Sequence, residues 1–167
     1  IGSKVPVKQL WIAGSYVPQA CRVPVTCVGF LAQSACKLEI SMEKAYKLEF
    51  GGQPGGELFM TCCGCSRTEP LHCFGPAMKP HYLIHYVLNG RGIFKMEGEE
   101  YPLEAGCGFL IEPGQMSFYQ ADEKDPWMYI WVGFAGERAE EYVKSMGISP
   151  RHPVFHSEQS DELYSIV

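Results

Sequence analysis

Short strand patterns alternate with turn signals at nearly even spacing from residue 57 to residue 134. Tight turns are indicated at Asn89-Gly90, Glu97-Gly98 and Pro113-Gly114, each beside runs rich in β-branched and aromatic residues. Many short strands at such regular spacing are typical of a β-sandwich or a β-barrel. The chain is therefore predicted to be mainly β over this region.

The Asn89-Gly90 pair also predicts one specific strand pairing. Asn-Gly is a strong signal for a two-residue hairpin because both positions tolerate positive φ. Residues 82–88 are therefore expected to pair with residues 92–96.

The periodicity changes from strand to helix after Gly136. Apolar residues recur at helical spacing, acidic residues come first and Lys144 comes late, which suits the helix dipole. Gly147 is expected to end this helix, and a second helix, expected to continue in a longer chain, begins near Ser160. The predicted organisation is an N-terminal extension over residues 1–56, a barrel over 57–135 and a helical segment over 136–167.

Composition excludes several classes of function. The chain has 14 basic and 19 acidic residues and a net charge of −5, whereas binding of nucleic acid phosphates generally needs a basic face. The sequence has no apolar run of about 18 residues, so no transmembrane helix is predicted. The eight cysteines are irregularly spaced, which favours reduced thiols in a cytoplasmic protein over a secreted disulfide framework.

Cupin barrels of this size are often metalloenzymes, which raises the question of a metal site. The four positions expected for the ligands are held by Ala77, Lys79, Leu83 and Ser117, and none is a usual ligand. His81 and His85 share one strand face, but a separation of about 13 Å is too long for one ion. Motifs for a nucleophile, a phosphate loop or a dinucleotide are also missing from the sequence. No catalytic residue, cofactor or metal is predicted, and a metal-dependent cupin enzyme such as a sugar isomerase stays as the alternative.

A cluster of thiols offers a second possible metal site. Its members are Cys62, Cys63, Cys65, His72 and Cys73. Zinc sites prefer pairs separated by two to four residues, whereas these pairs are adjacent or one residue apart. In a strand Cys63 and Cys65 would share a face and Cys62 would point away. Small buried hydrophobic side chains are the favoured interpretation, with a zinc-stabilised module as the other.

Aromatic side chains alternate along residues 127–134. One side of that strand is predicted to carry Trp127, Tyr129 and Trp131, and the other Met128, Ile130, Val132 and Phe134. Rings with a polar atom that face a barrel interior suit a small polyhydroxylated ligand, because they stack on C–H groups and hydrogen-bond hydroxyls. The same rings could equally fill a core.

A longer combination of motifs resembles one protein family. The motifs are Cys63-Gly64, His72, Phe74-Gly75-Pro76 and the runs 81–92, 108–114, 119–122 and 125–136. Over about residues 57–150 the sequence resembles the N-terminal ligand-binding and dimerisation domain of AraC/XylS-family transcriptional regulators. The resemblance implies a cupin-like β-barrel of the jelly-roll type, followed by C-terminal α-helices that pair two subunits. It also implies a small effector, often a sugar.

The resemblance and the aromatic pattern together select a candidate pocket. The predicted ligand-binding residues are His81, His85, Tyr119, Tyr129 and Trp131. By position, the last three fall where the arabinose-responsive member lines its sugar pocket. That member has an arginine where this chain has Gly75 and a histidine where it has Tyr129. A sugar in general is therefore favoured over arabinose itself.

The expected function is effector sensing in a cytoplasmic bacterial transcription regulator. Ligand in the barrel is expected to bias the placement of the C-terminal helices, with residues 43–56 folding over the mouth. An exposed apolar stripe on the first helix is expected to form a homodimer. This stripe consists of Ala139, Tyr142, Val143 and Met146. Contact with DNA is expected only through a C-terminal helix-turn-helix domain outside this chain, and no contact with membranes is expected.

Overall fold

The computed structural model describes residues 36–41, 45–51 and 56–157. These residues form strands in chain order, interrupted by one short helix. The strands are β1 (Cys36–Ser41), β2 (Ala45–Phe50), β3 (Phe59–Arg67), β4 (Cys73–Ala77), β5 (Tyr82–Asn89), β6 (Arg91–Met96), β7 (Glu99–Glu104), β8 (Cys107–Ile111), β9 (Ser117–Ala121), β10 (Met128–Ala135) and β11 (Val154–His156); the helix α1 (Ala139–Ser145) lies between the last two. The part of the chain that is described contains no helix long and apolar enough to cross a membrane.

The strands form two antiparallel sheets. The larger sheet has the order β1-β2-β3-β10-β5-β8-β11, and the smaller has the order β4-β9-β6-β7. Side chains from one face of each sheet pack into a common interior. This arrangement confirms the predicted mainly β, cupin-like barrel, in which two sheets enclose a core.

The interior between the sheets is rich in aromatic side chains. On the small sheet, strand register aligns Phe74, Tyr119, Phe94 and Tyr101 in one row. Phe109 and Trp127, which are almost completely buried, pack against them from the other side of the barrel. We call this set, with the large-sheet residues that contact it, the inner core.

A second core, the outer core, covers the opposite face of the large sheet. It joins residues of β3, β5, β8 and β10 to the helix and to the chain that follows it. From the sheet it takes Cys65, Ile84, Tyr86, Leu88, Leu110 and Ile130, and from the later chain Val143, Met146, Ile148 and Phe155. The predicted alternation of residues 127–134 is confirmed, because Met128, Ile130, Val132 and Phe134 all contact the outer core.

The helix packs on the large sheet of its own chain, and this packing buries most of the apolar stripe that was expected to be exposed. Ala139 and Val143 are each 1% exposed and Met146 is 8% exposed. These three side chains are therefore covered within one chain, and the expectation that they form an exposed stripe is wrong. Tyr142 is the member of the set that stays half-buried. A helical apolar face can cover either its own sheet or a partner, and the periodicity is the same in both cases.

The chain reversal at Asn89-Gly90 joins two sheets and does not form the predicted hairpin. β6 pairs with β7 and β9, whereas β5 pairs with β10 and β8. Gly90 has a φ of +72° and lies so close to the loop between β9 and β10 that a Cβ there would be 2.6 Å from the Pro126 carbonyl oxygen. The Arg91 amide donates to the Asp125 carbonyl at 2.9 Å, so this loop directs the chain into the small sheet.

Two other predicted turns and the predicted end of the helix are confirmed. Glu97 and Gly98 have φ values of 53° and 86° and connect the paired strands β6 and β7. Gly114, with a φ of 76°, lies in the turn between β8 and β9. Gly147, with a φ of 74°, follows Met146, the C-cap of the helix, in a conformation that glycine adopts without strain.

Part of the predicted N-terminal extension belongs to the large sheet. β2 pairs with β3 along five residues, and β1 pairs with β2. The expected boundary at residue 57 therefore falls within this sheet, because β2 provides hydrogen bonds to a strand of the barrel. Of the segment 43–56, residues 45–50 are a strand. Residues 1–35, 42–44, 52–55 and 158–167, including the helix expected near Ser160, lie outside the described residues.

Candidate ligand-binding site

One register line across the large sheet carries the centre of the site. It runs through Lys47, Gly64, Trp131, His85 and Phe109, on five neighbouring strands. Residues directly opposite one another across paired strands lie on the same face of a sheet. Phe109 and Trp131 belong to the inner core, so the whole line faces the barrel interior.

Gly64 allows the Trp131 ring to lie flat against the sheet. A Cβ on Gly64 would overlap both the Trp131 ring and the Tyr46 carbonyl oxygen. Because Gly64 has no side chain, the Trp131 indole can occupy the space above this position of β3. Trp131 is half-buried, whereas Tyr129, two residues earlier on the same strand, is 5% exposed. Trp131 is thus an aromatic platform at the more open part of the interior.

His85 lies at the centre of a cluster of rings. Its ring is parallel to that of Phe109, with centroids 4.6 Å apart, and the rings of Tyr119 and Tyr129 are 5.1 Å and 5.4 Å away. His85 is 2% exposed, and its Nδ1 has no hydrogen-bond partner among the described residues. Burial, assisted by the charge of Lys79, lowers the pKa of His85 to about 3. The imidazole is therefore neutral at neutral pH.

Two tyrosine hydroxyls supply polar atoms beside this imidazole. Tyr119 and Tyr129 are hydrogen-bonded to each other, and their rings meet edge to face at 5.9 Å. Burial raises the pKa of Tyr119 well above its usual range, and the neighbouring Tyr129 contributes in the same direction. Tyr119 is therefore neutral, and both hydroxyls can donate and accept hydrogen bonds.

His81 lies at the rim of the interior, where β5 begins. Its Nε2 is 3.8 Å from the Sγ of Cys62, and its Cδ2 would be 3.1 Å from a Cβ on Gly133. Burial, and then the charges of Lys79 and Lys47, lower the pKa of His81. Burial also raises the pKa of the Cys62 thiol, so both groups are neutral at neutral pH.

Lys79 approaches the same rim from the loop before β5. Its Nζ is 4.3 Å from the centroid of the Phe74 ring, and Phe74 stacks on Tyr119 with centroids 5.4 Å apart. The side chain is half-buried, and burial followed by the charge of Lys47 lowers its pKa. Lys79 thus places a cation at the edge of the aromatic cluster.

Four of the five sequence-predicted ligand residues come together in this structure. The rings of His85, Tyr119, Tyr129 and Trp131 contact one another inside the barrel. His81 lies on the predicted strand face but at the rim, beside Cys62.

Sequence reasoning missed several residues of this site. They are Phe74, Phe109, Lys47 and Lys79. Lys79 is two positions before His81, so the alternation that placed His81 and His85 on one face also indicates that face for Lys79. Lys47 is brought in only by the pairing of β2 with β3.

The thiol cluster does not assemble. Cys62 lies opposite Gly133 and belongs to the inner core, whereas Cys65 belongs to the outer core, on the other face of β3. Cys63 aligns with Val132 on the outer face, as predicted from strand alternation. Cys73 lies on β4, in the other sheet. No three His, Cys, Asp or Glu side chains in the described ranges converge to form a metal site.

Comparison with known proteins assigns the chain to a family. Residues 60–167 match the family model described as the AraC-like ligand binding domain. The chain belongs to this family. The match covers about two thirds of the chain and includes the strands that carry Trp131, His85, Phe109 and Tyr119.

Three curated relatives of this AraC-like domain are regulators of operons. The Msm operon regulatory protein of Streptococcus mutans is 36% identical over 102 residues, which are 61% of this chain and 36% of that protein. The lactose operon transcription activator of Staphylococcus xylosus is 34% identical over 59% of this chain and 36% of its own length. The raffinose operon transcriptional regulatory protein RafR of Pediococcus pentosaceus is 41% identical over 40% of this chain and 24% of its own.

The matched part of this chain therefore spans about a third of the length of the first two relatives. Among solved structures, a cupin protein from Bacteroides fragilis covers 68% of this chain and 94% of its own with a TM-score of 0.46 and 18% identity.

Proposed function

We propose that this domain is the effector-sensing part of a bacterial transcription regulator and that it binds a carbohydrate inside the barrel. The observation that carries the proposal is the buried His85, whose Nδ1 has no hydrogen-bond partner among the described residues. A buried polar atom without a partner is costly, and a ligand hydroxyl would satisfy it.

The surroundings of His85 suit a sugar. Trp131 offers a flat apolar face for ring C–H groups, and the Tyr119 and Tyr129 hydroxyls offer hydrogen-bonding partners. Two of the relatives are named for the lactose operon and the raffinose operon, which supports the carbohydrate class without identifying the sugar for this chain.

We place the domain in a cytoplasmic regulator that carries out no reaction. Operon regulators among the relatives support this role, and DNA contact would be made by a part of the full-length protein outside this chain. Ligand shifts only an equilibrium between states that it binds differently. We therefore propose that the sugar stabilises one placement of the C-terminal segment 136–167, through which two copies pair.

A binding experiment tests the pocket directly. The purified chain is screened by thermal shift against neutral and acidic mono-, di- and trisaccharides, including lactose and raffinose, because a ligand that binds only the native state raises its apparent stability. The Kd of each hit is then measured for Trp131→Ala and for the control Phe134→Ala, which removes a ring from the opposite face of the same strand.

The two variants are expected to separate binding from packing. Trp131→Ala should weaken binding about tenfold, which corresponds to about 1.4 kcal/mol. Phe134→Ala should lower stability and leave Kd within twofold. Equal Kd values for wild type and Trp131→Ala, or a screen in which no sugar shifts the melting temperature, would refute the proposed site.

A further inference from the structure

We infer that the ligand carries an anionic group, a phosphate or a carboxylate, which the ammonium group of Lys79 binds at the rim of the pocket. This inference rests on the proposed function and narrows its ligand class to acidic sugars. A sugar ring would contact Trp131 and the tyrosines, with its charged substituent directed toward the rim.

The position of Lys79 is the first support. Its Nζ lies 4.3 Å above the Phe74 ring, which is itself stacked on the pocket residue Tyr119. Its charge is also close enough to His85 to contribute to the lowered pKa of that imidazole. A surface lysine with no binding role more often extends into water, where its ammonium group is best hydrated.

The charge balance at the rim is the second support. Lys47 forms an ion pair with Glu49, and both residues lie on β2 beside the site. Lys79 has no carboxylate within ion-pair distance among the described residues, although the charge of Glu49 reaches it at longer range. Among the described side chains at this rim, two lysines stand against one glutamate, so their summed charge is positive beside the half-buried Lys79. An anionic ligand group would compensate that charge.

Beneath the rim, the titratable side chains that the structure describes are uncharged. His85 and His81 are neutral because their pKa values are lowered, and Tyr119 is neutral because its pKa is raised. A charged substituent is therefore recognised at the rim, and the hydroxyls are recognised inside. Hydrogen bonds from an ammonium group to an anion are about twice as strong as neutral ones, so the rim would decide the class of ligand.

Matched sugars test the inference on the purified chain. We would measure Kd by calorimetry for galactose, galactose 6-phosphate and galacturonate, for the corresponding glucose series, and for inorganic phosphate. We expect one acidic sugar to bind at least about tenfold more tightly than its neutral parent.

Substitutions then assign the effect to one side chain. Lys79→Met should remove that tenfold preference by weakening the acidic sugar more than the neutral one, and Lys79→Arg should keep most of the preference. The control Lys95→Met changes an exposed lysine that pairs with Glu100 on the small sheet, and it should change nothing.

Three results would overturn the inference. They are equal affinity for the acidic and neutral sugars, equal weakening of both by Lys79→Met, and inorganic phosphate binding as tightly as the sugar phosphate. In the first two cases, neutral sugars that still depend on Trp131 leave the proposed function intact. If no sugar of either kind binds, the proposed function fails as well.

Discussion

Acidification should destabilise this domain chiefly through the buried imidazole of His85. The pKa of His85 is about 3 in the folded chain and 6.5 without the fold, because burial disfavours the charged ring. Below pH 6.5 the unfolded chain therefore binds a proton that the folded chain does not. The stability that depends on neutral His85 is complete above pH 6.5 and is lost as the pH falls toward 3.

The size of the effect follows from these two pKa values. Each pH unit inside the window lowers the free energy of unfolding by about 1.4 kcal/mol for one site. Between pH 7.5 and pH 5 the loss amounts to about 2 kcal/mol, because the first unit lies above the window. This is a large fraction of the typical stability of a small domain, about 5–15 kcal/mol.

Urea denaturation of wild type and His85→Phe at pH 7.5 and pH 5 measures this loss. Phenylalanine keeps a flat ring against Phe109 and cannot be protonated. Groups present in both proteins cancel in the comparison, among them Glu112, whose pKa is raised by burial. We expect the wild type to lose about 2 kcal/mol more than the variant. The control His152→Gln removes an exposed histidine and keeps the buried one, so it should behave like wild type.

Equal losses for wild type and His85→Phe would refute the reasoning. That result would mean that the imidazole is hydrated or protonated in the folded chain. It would also remove the observation on which the proposed sugar site depends.

Two further predictions concern packing. Gly64→Ala should displace the Trp131 ring and weaken sugar binding, and the overpacking should lower the free energy of unfolding by about 1–3 kcal/mol. Calorimetry measures the Kd and urea denaturation measures the stability. An unchanged Kd would show that the position of the ring does not affect binding. Val143→Ala should lower stability by roughly 1–3 kcal/mol without changing the oligomeric state measured by sedimentation, because Val143 packs within one chain. A dissociated dimer at unchanged stability would place Val143 in an interface instead.

Local chemistry determined the features that depend on neighbouring residues. The alternation along residues 127–134 assigned each side chain to the correct face, and it placed Tyr129 and Trp131 in the interior. Glu97-Gly98 and Gly147 were found for the same reason, since glycine adopts positive φ without strain wherever it occurs. The family resemblance then identified the barrel, and the family match confirms it.

Only the tertiary structure decided which strands pair and what covers the helix. The same Asn-Gly turn can close a hairpin or cross between sheets, and the contact of Gly90 with the loop at Pro126 selects the crossing. The apolar face of α1 could have met a partner, and it meets its own sheet.

The rim of the site likewise depends on distant segments. Lys47 and Lys79 are 32 positions apart in the sequence, and neither belongs to a local motif. They come within electrostatic range of each other because β2 pairs with β3 and the loop before β5 brings Lys79 to Phe74. Spacing along a chain indicates which face a residue occupies, whereas long-range strand pairing decides which distant charges lie near each other.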